Sequence, residues 1–154
     1  MTGGRSGPAS RDLRTDDGST LLLTIGFAAV ALAVVLVGIA ATSLYVEHKR
    51  LLGLADRLAA TAAESFSIDD VTLLPDGTFR PVLDDAAVAS SAHATLAAEG
   101  PGALTDVEIL EAVTPDGRGA EVSLASEWRP PMLTLFVPAG VRIEATANAR
   151  SVFW

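Results

Sequence analysis

The chain has 154 residues, 49% of them hydrophobic but only 5% aromatic, with no cysteine and a formal net charge of −8 at pH 7. The lack of cysteine excludes disulfides, thiolate nucleophiles and cysteine-ligated zinc. Residues 1–46 are balanced, with three arginines against three aspartates, so the whole acidic excess follows them. Such a surface lacks the basic footprint that nucleic acid requires.

Met1 to Asp17 is rich in Gly, Ser, Arg and Asp, shows no apolar periodicity, and is predicted to be a disordered leader. From Gly18 to Val46 there is no charged residue, and the apolar centre, Leu21 to Leu44, is 24 residues long. At 1.5 Å per residue this is about 36 Å of helix, enough to cross a hydrocarbon core of about 30 Å. A soluble core helix of that length would need a polar stripe, and none is present. The sequence therefore predicts a membrane-spanning helix over 18–46. A cleaved signal peptide is the alternative, with Gly38 to Ser43 as the small-residue cleavage region, but its apolar part would ordinarily be shorter. Arg5, Arg11 and Arg14 before the span nearly balance Lys49, Arg50 and Arg57 after it, so the positive-inside rule gives no orientation. Chain order places the larger, C-terminal part outside the cytoplasm. Within the span, Ala29 and Ala33, then Gly38 and Thr42, stand four apart, a spacing that lets a second helix approach.

No proline and a single glycine, Gly53, occur from Glu47 to Phe66, so the helix is expected to continue as an amphipathic stalk, one helix from about Thr20 to Ala63. Leu44, Leu51, Ala55, Leu58 and Ala62 form a seam along it, suited to a partner helix, in a homo- or hetero-oligomer, or to the core of the chain's own domain.

Asp17-Gly18-Ser19-Thr20, the span, Ser43-Leu44-Tyr45 and the run from His48 to Ala63 together resemble the N-terminal region of TadG-like and TadE-like proteins. These belong to the Tad (tight adherence, Flp pilus) assembly machinery, and the likeness, over residues 14–66, is to its actinobacterial versions. The resemblance implies a membrane-anchored component of pilus or secretion assembly, with Gly18 and Ser19 as the processing position and other assembly proteins as partners. Pilins and TadE-type pseudopilins carry a glutamate five residues after the processing glycine; here that residue is Leu23. The likeness is thus to the permanently anchored, TadG-like kind rather than to a main filament subunit.

Past Phe66 the pattern changes to strands. Val71 to Leu74 and Thr78 to Val82 flank the turn Pro75-Asp76-Gly77. Asp84 or Asp85 then caps a helix over Ala86 to Glu99, with Ala87, Val88, Ala92, Thr95 and Leu96 on one face, and Gly100-Pro101-Gly102 ends it. Asp106 to Val113, a second turn at Pro115-Asp116-Gly117, Ala120 to Trp128 and Met132 to Val137 follow. Val122, Leu124 and Trp128 share a face opposite Glu121, Ser123 and Glu127. The clearest alternation closes the chain: Val141, Ile143, Ala145 and Ala147 against Arg142, Glu144, Thr146 and Asn148. The expected fold is α+β over 67–154, a small antiparallel sheet of three or four strands with one further helix, pilin-like in outline.

Nothing in the sequence spells a catalytic, cofactor or metal site. No Gly-x-Ser-x-Gly, Ser-x-x-Lys or phosphate-binding glycine loop occurs, and His48 and His93 stand apart. Asp69-Asp70 and Asp84-Asp85 lack calcium-loop spacing. The expected function is a non-catalytic assembly component in the cell membrane. The alternative is an anchored ligand-binding or sensor module whose acidic domain captures a cation, a basic peptide or an envelope polymer.

Overall fold

In the computed structural model, which describes residue 3 and residues 14–65, 71–73, 79–130 and 140–150, the uncharged run and the stretch after it form one helix. This helix, α1 (Arg14–Ala63), has 50 residues. Its end is where the sequence predicts it, but it starts earlier than Thr20, so Arg14 to Gly18 are helical and not part of the leader. Extending a nucleated helix backwards adds a hydrogen bond for each residue fixed, so a long apolar helix recruits the residues ahead of it. At the other end the Ser65 amide and hydroxyl both donate to the Ala62 carbonyl, at 3.2 and 2.7 Å, closing the last turn.

The chain divides into two compact units, Met1–Ile39 and Ala40–Trp154. The division falls inside the predicted span, and residues 47–63 belong to the second unit instead of standing apart as a stalk. That unit adds β1 (Val71–Leu73), β2 (Phe79–Pro81), α2 (Asp85–Glu99), β3 (Glu108–Val113), β4 (Gly119–Trp128) and β5 (Val141–Arg150). The β1–β2 hairpin is antiparallel, with Val71 opposite Pro81 and Leu73 opposite Phe79. Its turn at Pro75-Asp76-Gly77, the Asp69-Asp70 pair and the predicted strand Met132 to Val137 lie outside the described residues.

Strands β3, β4 and β5 form an antiparallel sheet with β4 in the middle. The fold is α+β, as the hydrophobic patterning requires. The predicted alternations set the register. Val122 lies between Ala112 and Ala147, Leu124 between Ile109 and Ala145, and all face one side. Ile109 and Ala112 are three residues apart, an odd spacing that would put them on opposite faces of a regular strand. The extra residue at Leu110, a bulge between Ile109 and Glu111, restores both to the core side and turns Leu110 outward.

The core lies between this sheet face, α2 and the C-terminal part of α1. Leu51, Leu54, Ala55, Leu58 and Ala59 of α1 pack with Ala92 of α2 and with Val122, Leu124, Ala145 and Ala147 of the sheet. A second cluster joins Ala62 and Ala63 to Leu83, Val88 and Ala120. Helix α2 begins after Asp84, whose extended backbone makes it the N-cap, although its side chain makes no capping bond. The Asp85 carboxylate instead accepts the Thr114 amide at 2.7 Å, tying α2 to the end of β3. Gly100, at φ 74°, ends α2, its amide donating to the Leu96 carbonyl.

At the Pro115-Asp116-Gly117 turn the Asp116 carboxylate accepts the Arg118 and Gly119 amides at 3.0 and 2.9 Å, and pairs with Arg150 of β5 at 2.6 Å. Gly119 is required here, because a Cβ would sit 2.8 Å from the Ala149 carbonyl oxygen. The sheet's other face carries Glu108, Glu111, Glu121, Glu127 and Glu144. Arg142 reaches Glu108 and Glu144 at 3.1 and 3.2 Å, and these carboxylates hold its proton, raising its pKa above the ordinary arginine value. The register puts Ala125 between Glu108 and Glu144, and it is buried although it lies on this outer face.

Candidate functional site

Helix α1 changes character along its length. From Leu21 to Ile39 eleven large apolar side chains are between 47% and 74% exposed, and Leu36 is half-buried. The most apolar 18-residue window has a mean hydropathy of 2.8 and none of it is buried. One helix is therefore long and apolar enough to cross a membrane. Full burial of one such side chain is worth roughly 1.5–3 kcal/mol, so eleven of them left in water would forfeit a sum comparable to or larger than the roughly 5–15 kcal/mol that holds a domain together. The few hydroxyls in the run are accommodated by back-bonding, as Thr24 shows by donating to the Thr20 carbonyl at 2.8 Å. Gly26 and Gly38 have open space where a Cβ would stand. Ala29 and Ala33 are exposed, as is Thr42. Gly18 and Ser19, the processing position that the resemblance implies, lie within the helix, with Ser19 and Leu23 exposed.

The predicted seam has a different placement. Leu51, Ala55, Leu58 and Ala62 are fully buried, and Leu44 is half-buried. They are occupied by the chain's own sheet and α2, so the core reading of the seam describes them. The buried arc is also wider than the seam and takes in Leu54, Ala59 and Ala63. A helix lying on a sheet buries a stripe about 100° wide, whereas two coiled helices need only alternating threes and fours. The leucine and two alanines flanking the seam were the available signal.

Between these two stretches lies a polar collar. Tyr45, His48, Lys49 and Arg50 are exposed on consecutive turns, with the Lys49 ammonium 5.8 Å from the centre of the Tyr45 ring. Arg50 pairs with Glu47 at 3.5 Å. An aromatic hydroxyl and long basic chains directly after an apolar helix suit the boundary between hydrocarbon and water. Beside the collar a cleft of about 450 Å³ runs between α1 and the loop after α2, lined by Lys49, Arg50, Gly53, Arg57, Glu99 and Gly102. Arg57 crosses it to Glu99 at 3.2 Å and also donates to the Gly53 carbonyl at 2.9 Å.

A contact that sequence reasoning misses fixes the start of the second unit. The indole N–H of buried Trp128, at the end of β4, donates to the Ser43 hydroxyl at 3.2 Å, across 85 residues of sequence. Nearby, Ser126 is buried and donates to the Thr105 carbonyl at 2.8 Å, which also accepts the Glu127 amide. The two histidines are exposed, on α1 and α2 respectively, and no three acidic or histidine residues gather as metal ligands among the described residues. No protein-family model, curated protein or solved structure matches the chain.

Proposed function

We propose that this chain is a non-catalytic, single-pass membrane protein that serves as an anchored component of a Tad/Flp-type pilus or secretion assembly, with residues 47–154 outside the cytoplasm. The observation that carries the anchor is the sequence of environments along α1. A helix with no buried residue from Leu21 to Ile39 becomes the buried spine of a domain from Leu51 onward, with a collar of Tyr45, Lys49 and Arg50 between. Lipid covers the first stretch, and the same helix continues into the core of the second unit. The assembly itself rests on the likeness of residues 14–66 to TadG-like proteins. Because the seam of α1 is occupied within the domain, partners are met through the exposed span, where Gly26 and Gly38 leave room for another helix, or through the outer sheet face.

Fractionation tests this reading. Cells are sheared to release surface filaments, and membrane, sheared and medium fractions are blotted and weighed as intact protein. Full-length chain confined to the membrane, and co-purifying with assembly proteins, is the expected result. A chain shortened at Gly18 and found in the sheared fraction would make it a filament subunit. A chain shortened near Ala41 and found in the medium would make the apolar helix a signal peptide.

A second reading, a sensor or ligand-binding module, draws on the outer sheet face, where five glutamates share the surface with Arg142 and Arg150. Calcium or a basic peptide that raises the domain's melting temperature at physiological ionic strength would favour it.

A further inference from the structure

Eight basic residues follow residue 46, and three of them, Lys49, Arg50 and Arg57, fall within nine residues of α1. All three line the cleft of about 450 Å³ between α1 and the loop after α2. That volume is within the roughly 300–1,000 Å³ of small-molecule sites. Both walls belong to the same compact unit. Among the described residues the only carboxylate in the lining is Glu99, so the cleft is cationic in a chain of net charge −8.

Helical spacing explains the gathering. Lys49, Gly53 and Arg57 stand four apart and share a face, and Arg50 is three residues before Gly53. Gly53 therefore lies among three cations and has no side chain of its own. Packing does not demand a glycine there, because a Cβ would meet nothing closer than Arg57 Nη1 at 3.8 Å. Glycine inside a helix lowers its stability. What it provides here is an open floor from which a bound group can reach all three cations.

Their donors are not used up. Arg57 gives one N–H to Glu99 at 3.2 Å and one to the Gly53 carbonyl at 2.9 Å, leaving three of the five on a guanidinium. Arg50 is held by Glu47 only at 3.5 Å. Lys49 forms no ion pair among the described residues, its ammonium lying 5.8 Å from the centre of the Tyr45 ring. On the facing wall Gly100 and Gly102 have φ of 74° and 65°. The amides of Gly102 and Ala103 donate to no acceptor among the described residues. Against an anion stand Glu99 and the carbonyl end of α2. Arg57 offsets the first, and the Gly100 amide takes the Leu96 carbonyl at 2.9 Å.

We propose that this cleft is a phosphate site, taking the phosphoryl group of a lipid headgroup or of a water-soluble phosphate ester. Lys49 and Arg57 are about 12 Å apart along the helix axis, with the open floor between them. A tetrahedral phosphate offers oxygens in several directions and bridges donors on both walls, whereas a planar carboxylate meets one fork. The site does not depend on α1 spanning a membrane.

Lys49 is the only lysine in the chain, so its acylation can be followed by peptide mass, with the N-terminal amine as internal reference. The full chain in phosphate-free maltoside detergent is treated with a limiting acylating reagent. Inorganic phosphate is raised while sodium chloride holds the ionic strength. The expected result is saturable slowing at Lys49 alone. Arg57→Gln should raise the half-protecting concentration about tenfold, the worth of a charged hydrogen bond at its low end. Glu99→Gln should lower it about threefold, as the loss of one exposed opposing charge allows. Gly53→Leu fills the floor without altering a charge and should abolish protection; Arg57→Gln decides the matter should Gly53→Leu not fold.

Phosphatidylglycerol nanodiscs without free phosphate then separate the sources. Protection already complete there, and lost in Arg57→Gln, assigns the headgroup; protection that still needs added phosphate assigns the soluble ester. Lys49 acylation indifferent to both phosphate and phosphatidylglycerol would overturn the site, as would protection equally strong in Arg57→Gln. Failure of the chain to enter nanodiscs would remove the anchor and leave the detergent measurement standing.

Discussion

The stretch of α1 from Leu21 to Ile39 and the stretch from Leu51 to Ala63 are built from the same leucines and alanines, yet the first has no buried residue and the second is the centre of a core. What separates them is the placement of charge. The first stretch has none, so no face of it is fit for water. The second has Asp56 and Arg57 exposed on one side, which leaves the opposite side to pack on the sheet. Hydrophobicity alone would have ranked the two alike; the polar face decides which solvent each requires.

Carboxylates placed in the two stretches should separate them most sharply. Leu58→Asp loses a fully buried leucine, about 2–5 kcal/mol for the deletion alone, and adds the desolvation of an unpaired charge. The domain should lose its cooperative thermal transition, followed by circular dichroism of the full chain in detergent, while membrane recovery is unchanged. Leu32→Asp should do the reverse. At the middle of a span it costs roughly 2.5–3.5 kcal/mol of insertion, so the membrane-integrated fraction should fall while the melting transition stays. A loss of the domain's transition in Leu32→Asp would mean that residues 21–39 pack on protein and the contrast is false.

Glycine offers a milder version of the same contrast. Gly119→Ala forces a Cβ to 2.8 Å from the Ala149 carbonyl oxygen, so β4 and β5 must part there. Overpacking of this kind costs about 1–3 kcal/mol, visible as a lower urea midpoint. Gly26→Ala meets nothing within 4 Å and should leave that midpoint where it is.

Much of this was legible in the sequence because each element declares its own period. The alternation from Val141 to Asn148 gave β5 and its inner face from Ile143 to Ala147, although Val141 at the strand's start is exposed, and Gly100-Pro101-Gly102 placed the end of α2. What stayed hidden was set by tertiary partners. The seam of five residues pointed equally well to a second helix or to a sheet, and only the sheet explains why Leu54, Ala59 and Ala63 are buried as well. The bulge at Leu110 breaks the period of two on β3, so Ile109 and Ala112 could not be assigned one face without β4 beside them. The start of the compact unit was hidden for the same reason. Ser43 belongs to an apolar run by sequence, and nothing local announces that an indole 85 residues away will bond to it.

That bond also supplies the finest test of where the two stretches of α1 meet. Trp128→Phe keeps most of the buried ring and removes the donor; Ser43→Ala removes the acceptor. Each should lower stability by a small amount, and the double variant should cost less than their sum, leaving a coupling of about 0.5–1.5 kcal/mol, the net worth of one such hydrogen bond. The cycle is read from urea midpoints of the full chain, in detergent and again in vesicles. A coupling in both media means that the sheet is tied to α1 at Ser43, and that the domain begins inside the uncharged run. Zero coupling in both would free Ser43 from the sheet, move the start of the domain to the collar at Tyr45–Arg50, and turn the last turn of the apolar helix back into plain span. Because Ser43 is only three residues from the end of that run, this one hydroxyl decides whether the compact unit begins inside the uncharged run or after it.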